Sequence, residues 1–289
     1  MTQLETIVKR MKPVSIKMIA EGNVGARLVT YPNGAQVVMK ICSSVTTKNQ
    51  RTTQRGLPTE TEPKREVAFY RLCKLLGWDI VPETVLGEFA GFPASFQQYM
   101  TAAKLYDVEP RLRNPGKNRV AWQIALRETL RDKVPFEDTL RLTVLDFLAG
   151  SRDRHAANYG VRLDVSANKA RWRLIGWDNG CSFGLTQALY KCVAHKWVFR
   201  YAFDLSTVWD DLRRIRRSEL ASALSGLIDD EAIDHVWHRV QFVLTFPHRM
   251  PWKTLSQGHD DGDSFPSYAE WFKPMLGTKP FYILQTQAL

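Results

Sequence analysis

Asp153-Arg154-His155-Ala156-Ala157-Asn158, with Asp178-Asn179-Gly180 beginning twenty residues after Asn158, is the stretch on which the reading of this chain turns. It sets a carboxylate, a side-chain amide and a second carboxylate in an order that suits phosphoryl transfer. That chemistry asks a protein mainly to position a hydroxyl and to neutralise phosphate charge. A carboxylate at Asp153 can accept or orient the proton of the hydroxyl. Asn158 and Asp178 supply hard oxygen ligands of the kind that Mg2+ takes beside substrate phosphates.

The five-residue interval from Asp153 to Asn158 is also that between the base Asp and the metal-binding Asn of the protein-kinase catalytic loop, to which a later loop adds a second metal-binding Asp. Two details depart from ordinary protein kinases: His155 follows the Asp instead of preceding it, and the later loop reads DNG instead of DFG. In that reversed order the chain resembles the phosphatidylinositol 3-/4-kinase-like superfamily, which includes HipA-like, FAM20-like and actin-fragmin kinases. The likeness extends to Leu145-Asp146-Phe147-Leu148-Ala149-Gly150 ahead of the catalytic stretch and Trp172-Arg173-Leu174-Ile175-Gly176-Trp177 ahead of Asp178. It implies an α+β, two-lobed protein-kinase-like fold, with a mainly β N-lobe over 1–100 and a mainly helical C-lobe over 101–289. It further implies ATP and Mg2+ as cofactors, Asp153 as the catalytic carboxylate, and Asn158 and Asp178 as metal ligands. His155 would be held against the metal loop or the transferring phosphate, although a histidine packed in the core reads the same way.

The flanking sequence supplies the expected elements. Residues 14–41 read as a β-meander: Val14 to Ala20, Leu28 to Tyr31, then the Asn33-Gly34 hairpin signal and Ala35 to Ile41. Cys42 to Glu62 is polar and reads as a long loop or insertion. Pro63 can open a helix at its first turn, and Gly77 can end it. Strands over Val81 to Phe89 and Phe92 to Met100, joined by Ala90-Gly91, complete a small β-rich lobe. Further on, Ala121 to Arg131 and Phe136 to Gly150 have helical spacing. A hairpin of Tyr159 to Val165 and Ala170 to Trp177 follows, then helices near Leu205 to Arg216, Ser218 to Leu227 and Glu231 to Leu244. A short helix near Tyr268 to Leu276 is expected in the proline-containing tail.

Several residues of this frame are candidates for the nucleotide. Glu21-Gly22-Asn23-Val24-Gly25-Ala26 lies between the first two strands, where glycines let a backbone fold closely over phosphates; the resemblance assigns Gly22, Asn23 and Gly25 to that role, and an ordinary hairpin turn is the competing reading. Lys40 ends Val37-Val38-Met39-Lys40 and matches the kinase strand lysine that reaches the α- and β-phosphates. Its expected ion-pair partner is Glu66, with Glu60 and Glu62 as rivals. Gln98, Tyr99 and Met100 fall where the resemblance sets an adenine-binding hinge, a function that backbone groups perform and that a plain strand end would mimic. Asp146 reads as a stabiliser of the catalytic loop. His235 and His238 read as helix-surface residues, His259-Asp260-Asp261-Gly262-Asp263 as a solvated loop, and Arg213 to Arg217 as a solvated face or as a contact for lipid headgroups or an acidic protein.

With 289 residues, 44% hydrophobic and 11% aromatic, the chain can bury a sizeable core. Its net charge of +10 favours an acidic or anionic substrate. A protein is the expected acceptor, a phosphoinositide membrane surface the alternative, and nucleic acid is not the expected partner. Cys42, Cys73, Cys181 and Cys192 form no CxxC pair, which points to a reducing compartment. The N-terminus lacks a signal-peptide core and the chain has no spanning run of apolar residues, so a cytoplasmic protein is expected. The favoured activity is transfer of the γ-phosphate to a protein Ser/Thr hydroxyl. A phosphoinositide kinase is the first alternative; a non-catalytic nucleotide-binding module and an AMP transferase remain beyond it.

Overall fold

A computed structural model describes residues 1–19, 26–41, 61–100, 102–104, 109, 125, 135–151, 154, 158–166, 169–183 and 206–245. The chain begins with helix α1 (Gln3–Arg10), which the sequence reading did not anticipate. Its signal is the Thr2-x-x-Glu5 pattern. The Thr2 hydroxyl accepts from the Glu5 N–H and the Glu5 carboxylate accepts from the Thr2 N–H, a capping box that satisfies two backbone donors at once.

Strands β1 (Ser15–Met18), β2 (Arg27–Thr30), β3 (Gln36–Ile41), β4 (Thr84–Phe89) and β5 (Phe92–Gln98) form an antiparallel sheet in the order β1-β2-β3-β5-β4. The turns are those their residues require. Gly34 lies at φ 81° between β2 and β3, and Ala90 and Gly91, at φ 52° and 82°, make the two-residue turn between β4 and β5. Strand β1 is shorter than expected, and β4 begins after Pro82, which has no N–H to give to a ladder. Alternation then sorts the side chains. Val29, Val37, Met39, Val85, Ala94 and Phe96 form one core with Leu4 and Ile7 of α1. Lys40, one residue out of phase with Met39, belongs to the opposite face.

Helix α2 (Glu62–Leu75) begins with Pro at its first turn and ends before Gly77, whose φ is 73°. It packs against β4 and β5, and its Phe69 and Leu72 also enter the large core of the helical region. There they meet Leu142, Leu145 and Leu148 of α3 (Phe136–Ala149), Leu212 of α4 (Ser206–Arg213), Leu220 of α5 (Arg217–Leu224) and Val236 and Val240 of α6 (Asp230–Thr245). The Arg71 guanidinium donates to the Ala223 carbonyl at 3.3 Å, and the Trp78 indole donates to Asp211 at 2.7 Å. α2 is therefore shared by both parts of the molecule.

A second sheet, β6 (Ala103–Lys104), β7 (Tyr159–Ser166) and β8 (Lys169–Gly176), runs antiparallel in that order. The two residues of β6 are too few to show any period, so the sequence reading missed them. β7 and β8 form the expected hairpin. Gly150, at φ 59°, caps α3 in the left-handed conformation that glycine adopts without strain. Among the described residues, no helix is long and apolar enough to cross a membrane, and Cys73 and Cys181 are free thiols. The Gly22–Gly25 turn, the expected helices at 121–131 and 268–276 and the loop at 259–263 fall outside the described residues, apart from Ala125.

Phe69 is fully buried and lies under the Arg154 guanidinium, 5.4 Å from ring centroid to Cζ. Phe69→Ala is expected to lower unfolding free energy by about 3–5 kcal/mol, a cavity-forming loss, read by chemical denaturation; a loss below about 1 kcal/mol would contradict its place at this junction.

Candidate active site

Three elements converge on Lys40. From the inner face of β3 its ammonium donates to Glu66 Oε1 on α2, and to Asp178 Oδ1, at 2.7 Å, on the loop after β8. The other Glu66 oxygen accepts the Asn179 N–H at 3.0 Å, and the neighbouring Arg65 donates through Nε to the Gly180 carbonyl at 2.6 Å. Consecutive residues of one helix thus grip both sides of the Asp178-Asn179-Gly180 backbone. Asp178 lies at φ 58°, a conformation that Asp tolerates better than most residues. Burial alone would pull the Lys40 ammonium towards neutrality, but Asp178 and Glu66 outweigh it and raise its pKa, so the lysine stays charged.

Glu62, the rival partner for Lys40, is one turn earlier on α2 and is 6% exposed. Among the described residues no hydrogen bond reaches its carboxylate. The side chain abuts Gly180 so closely that a Cβ there would fall 2.5 Å from Glu62 Cγ. Burial pushes the Glu62 carboxyl up to about 7; Lys40 opposes the shift, Asp178 and Glu66 add to it, and Arg65 opposes it. Glu60 is outside the described residues.

Beneath this cluster lies Arg154, 1% exposed. Its Nε and Nη2 donate to the Asp146 carboxylate of α3 at 3.0 Å and 2.9 Å. Nη1 donates to the Asn158 carbonyl at 3.1 Å and the Trp177 carbonyl at 2.6 Å, and Nη2 also donates to Asn179 Oδ1. Asp146 is thereby the loop stabiliser that its position suggested. Arg154 itself was overlooked, although its signal was present: Asp146 stands inside the apolar run Val144-Leu145-Asp146-Phe147-Leu148, and a carboxylate in such a run requires a cation.

Asn158 is buried and opposes Trp177, whose N–H donates to the Asn158 carbonyl at 3.2 Å. Asp153 and His155, which flank Arg154 in the sequence, are outside the described residues. At the strand end, the Gln98 N–H donates to the Glu83 carbonyl at 2.7 Å and the Tyr99 N–H to the Gln36 carbonyl at 3.0 Å, so the sheet consumes both. Among the described residues no hydrogen bond uses the Met100 N–H. The Met100 sulfur accepts from Arg162, which also pairs with Asp79 at 2.7 Å.

The donor set fits a hard divalent cation. The Asp178 side chain is 37% exposed, carries one oxygen already matched to a cationic group, and lies next to the segment that carries Asn158. The arginine run of α4 and α5 is compensated locally: Arg213 stacks on Trp209, Arg214 pairs with Asp211, Arg216 with Glu219 and Arg217 with Asp234. His235 and His238 are half-buried on α6, and burial is the leading cause that lowers the pKa of both.

The fold is similar to that of several solved structures, two of them kinases. Against the Golgi casein kinase with Mn/ADP bound the TM-score is 0.52 at 13% identity, over 84% of this chain and 74% of that one. Against hydra Fam20 with sugar it is 0.53 at 13% identity, over 89% and 91%. Against the Helicobacter pylori proinflammatory kinase CtkA it is 0.50 at 13% identity, over 83% and 95%. No protein-family model and no curated protein sequence matches the chain. The likeness establishes an α+β, two-lobed protein-kinase-like fold.

Two outcomes follow from the buried charges. Arg154→Met should cost about 3–5 kcal/mol by removing the guanidinium that pairs with the buried Asp146 carboxylate, and adding Asp146→Leu should recover part of it; strictly additive losses in a denaturation cycle would contradict the pairing. The raised Glu62 pKa favours the fold fully below the unfolded value of 4.5, and that contribution is lost as pH rises through about 7. In metal-free protein the Tm of Glu62→Gln relative to the parent should therefore climb between about pH 5 and about pH 8, whereas a constant difference would contradict a protonated Glu62.

Proposed function

We propose that this chain is an ATP- and Mg2+-dependent phosphotransferase that moves the γ-phosphate to a hydroxyl, with a protein Ser/Thr side chain as acceptor. The observation that carries the reading is the Lys40 ammonium held between Glu66 and Asp178. Glu66 aims a flexible cation that would otherwise sample solvent, and the bond to Asp178 is one that an incoming phosphate can replace. Asp178 and Asn158 would hold Mg2+, which supplies neutralisation of phosphate charge. Arg154 and the Arg65–Glu66 pair keep both metal-ligand segments in place. Asp153 orients the acceptor hydroxyl and takes its proton, and His155 steadies the metal loop or the transferring phosphate. Gly22, Asn23 and Gly25 cover the phosphates.

Adenine recognition falls to the strand end at Gln98, Tyr99 and Met100, where the Met100 N–H is the donor that the sheet leaves over. This strand end also marks the boundary between an N-lobe of residues 1–100 and a C-lobe of residues 101–289. The order Asp-Arg-His and the DNG loop support a position among the phosphatidylinositol 3-/4-kinase-like enzymes rather than the ordinary protein kinases. A protein acceptor is preferred to a phosphoinositide because the Arg213–Arg217 run is matched by acidic and aromatic neighbours instead of presenting bare charge to a membrane.

Incubation with ATP labelled at the γ- or the α-phosphate, in the presence of protein and lipid acceptors, tests the reading. Label should pass to protein from the γ position alone. Transfer from the α position would mean AMP transfer, transfer to lipid would mean the alternative acceptor, and no transfer with intact nucleotide binding would mean a binding module. Asp178→Ala should weaken Mg·ATP binding in calorimetry; equal affinity would remove Asp178 from the metal site. Asp153→Asn should lower kcat on the order of a hundredfold or more with little change in ATP affinity, and near-normal single-turnover transfer would make Asp153 structural.

A further inference from the structure

Among the described residues, strand β1 pairs with β2 alone and so forms one edge of the five-stranded sheet. Just past it, the Ile19 N–H donates to the Ala26 carbonyl at 2.9 Å. Antiparallel pairs alternate between those that exchange hydrogen bonds and those that do not. In the register that Ile19 and Ala26 continue, Lys17 and Leu28 are a hydrogen-bonded pair, whereas Met18 with Arg27 and Ile16 with Val29 are not. The N–H and C=O groups of Ile16 and Met18 therefore point out of the sheet, away from β2. The Val14 N–H is already given to the Thr30 carbonyl, so this outward row begins at Ile16.

The side chains on the edge divide into two chemistries. Ile16 lies opposite Val29 and shares its face of the sheet, yet Ile16 is 40% exposed where Val29 is 1%. Val14 and Met18, in phase with Ile16, are more exposed still. Helix α1 packs on β4, at the far edge of the sheet, and leaves these three apolar side chains in an exposed row. Lys17 takes the opposite face, which also carries Lys40. Around the row Lys9, Arg10, Lys12 and Lys17 are all exposed, and no acidic residue occurs between Glu5 and Glu21. Among the described residues none of these four cations makes an ion pair, unlike Arg214, Arg216 and Arg217.

We propose that the outer edge of β1 is a docking site for an extended acidic segment of a partner protein, which adds to the sheet as a further strand. The backbone of the incoming strand pairs with Ile16 and Met18, its apolar side chains meet Val14, Ile16 and Met18, and its carboxylates face Lys17. Charge selects the occupant. A second copy of this chain would bring two clusters of lysine and arginine together, and a lysine on an edge strand guards against such self-pairing. An acidic strand meets no such barrier. A lipid surface could take the apolar and basic side chains but has no backbone to match the outward N–H and C=O groups. The docking edge is separate from the nucleotide site and does not depend on it.

Fluorescence anisotropy with a labelled synthetic peptide that alternates Glu and Val over about seven residues tests the docking. Two control peptides are the same sequence N-methylated at every residue and one with Lys in place of Glu. The parent should bind the Glu–Val peptide and hold both controls at least roughly tenfold more weakly. Ile16→Pro removes an outward N–H and spares the ladder to β2, as an edge strand tolerates; it should weaken the Glu–Val peptide roughly tenfold or more. Lys17→Glu should weaken it about threefold or more. Should Ile16→Pro fail to fold, Lys17→Glu, a change at an exposed side chain, decides in its place. No binding of the Glu–Val peptide, equal binding of the N-methylated peptide, or unchanged affinity in a folded variant overturns the proposal. Sedimentation of the parent as a dimer that Ile16→Pro dissociates overturns it in favour of a second copy. Retention on phosphatidylserine vesicles without peptide binding overturns it in favour of a membrane surface.

Discussion

A single guanidinium buried at the centre of the molecule sets the terms for everything above it. Arg154 binds the Asp146 carboxylate with two nitrogens and spends its remaining donors on the Asn158 carbonyl, the Trp177 carbonyl and the Asn179 side chain. A buried charge without a partner is costly, whereas a paired one with its hydrogen bonds satisfied holds its geometry firmly. The cluster joins helix α3, the segment that carries Asn158 and the loop that carries Asp178. The two candidate metal-ligand segments are therefore held by one buried side chain.

Helix α2 extends that constraint to the sheet. Arg65 and Glu66 hold the Asp178-Asn179-Gly180 backbone from the side opposite Arg154, and Glu66 brings in Lys40 from β3. The same helix places Phe69 under Arg154 and Leu72 in the helical core, while Trp78, three residues past its end, donates to α4. Three carboxylates, Glu62, Glu66 and Asp178, surround one ammonium. Burial is the main cause that pushes the Glu62 carboxyl up to about 7; Asp178 and Glu66 add to the shift and Lys40 and Arg65 oppose it.

The frame of the fold was legible because its signals are local. Asn33-Gly34, Ala90-Gly91, Pro63, Gly77 and Gly150 each impose a backbone geometry, and the elements between them appear within a few residues of where those signals put them. The spacing of Asp153, Asn158 and Asp178 is likewise a local signal, of which the structure describes Asn158 and Asp178 while Asp153 lies outside the described residues. What escaped notice depends on partners distant in sequence. Arg154 matters through Asp146, Trp177 and Asn179, and the Arg65 clamp exists only once the Gly180 carbonyl arrives beside α2. Helix α1 is the exception, since its capping box was written in four adjacent residues and went unread.

The central claim is that Lys40, Glu66, Asp178 and Asn158 form the phosphate and metal end of a nucleotide site. A crystal structure of the chain with Mg2+ and a non-hydrolysable ATP analogue addresses it most directly. Lys40 should keep its bond to Glu66 and exchange Asp178 for a phosphate oxygen, with the metal on oxygens of Asp178 and Asn158. A nucleotide found elsewhere, or Lys40 still bound to Asp178 with no phosphate in reach, would contradict the account.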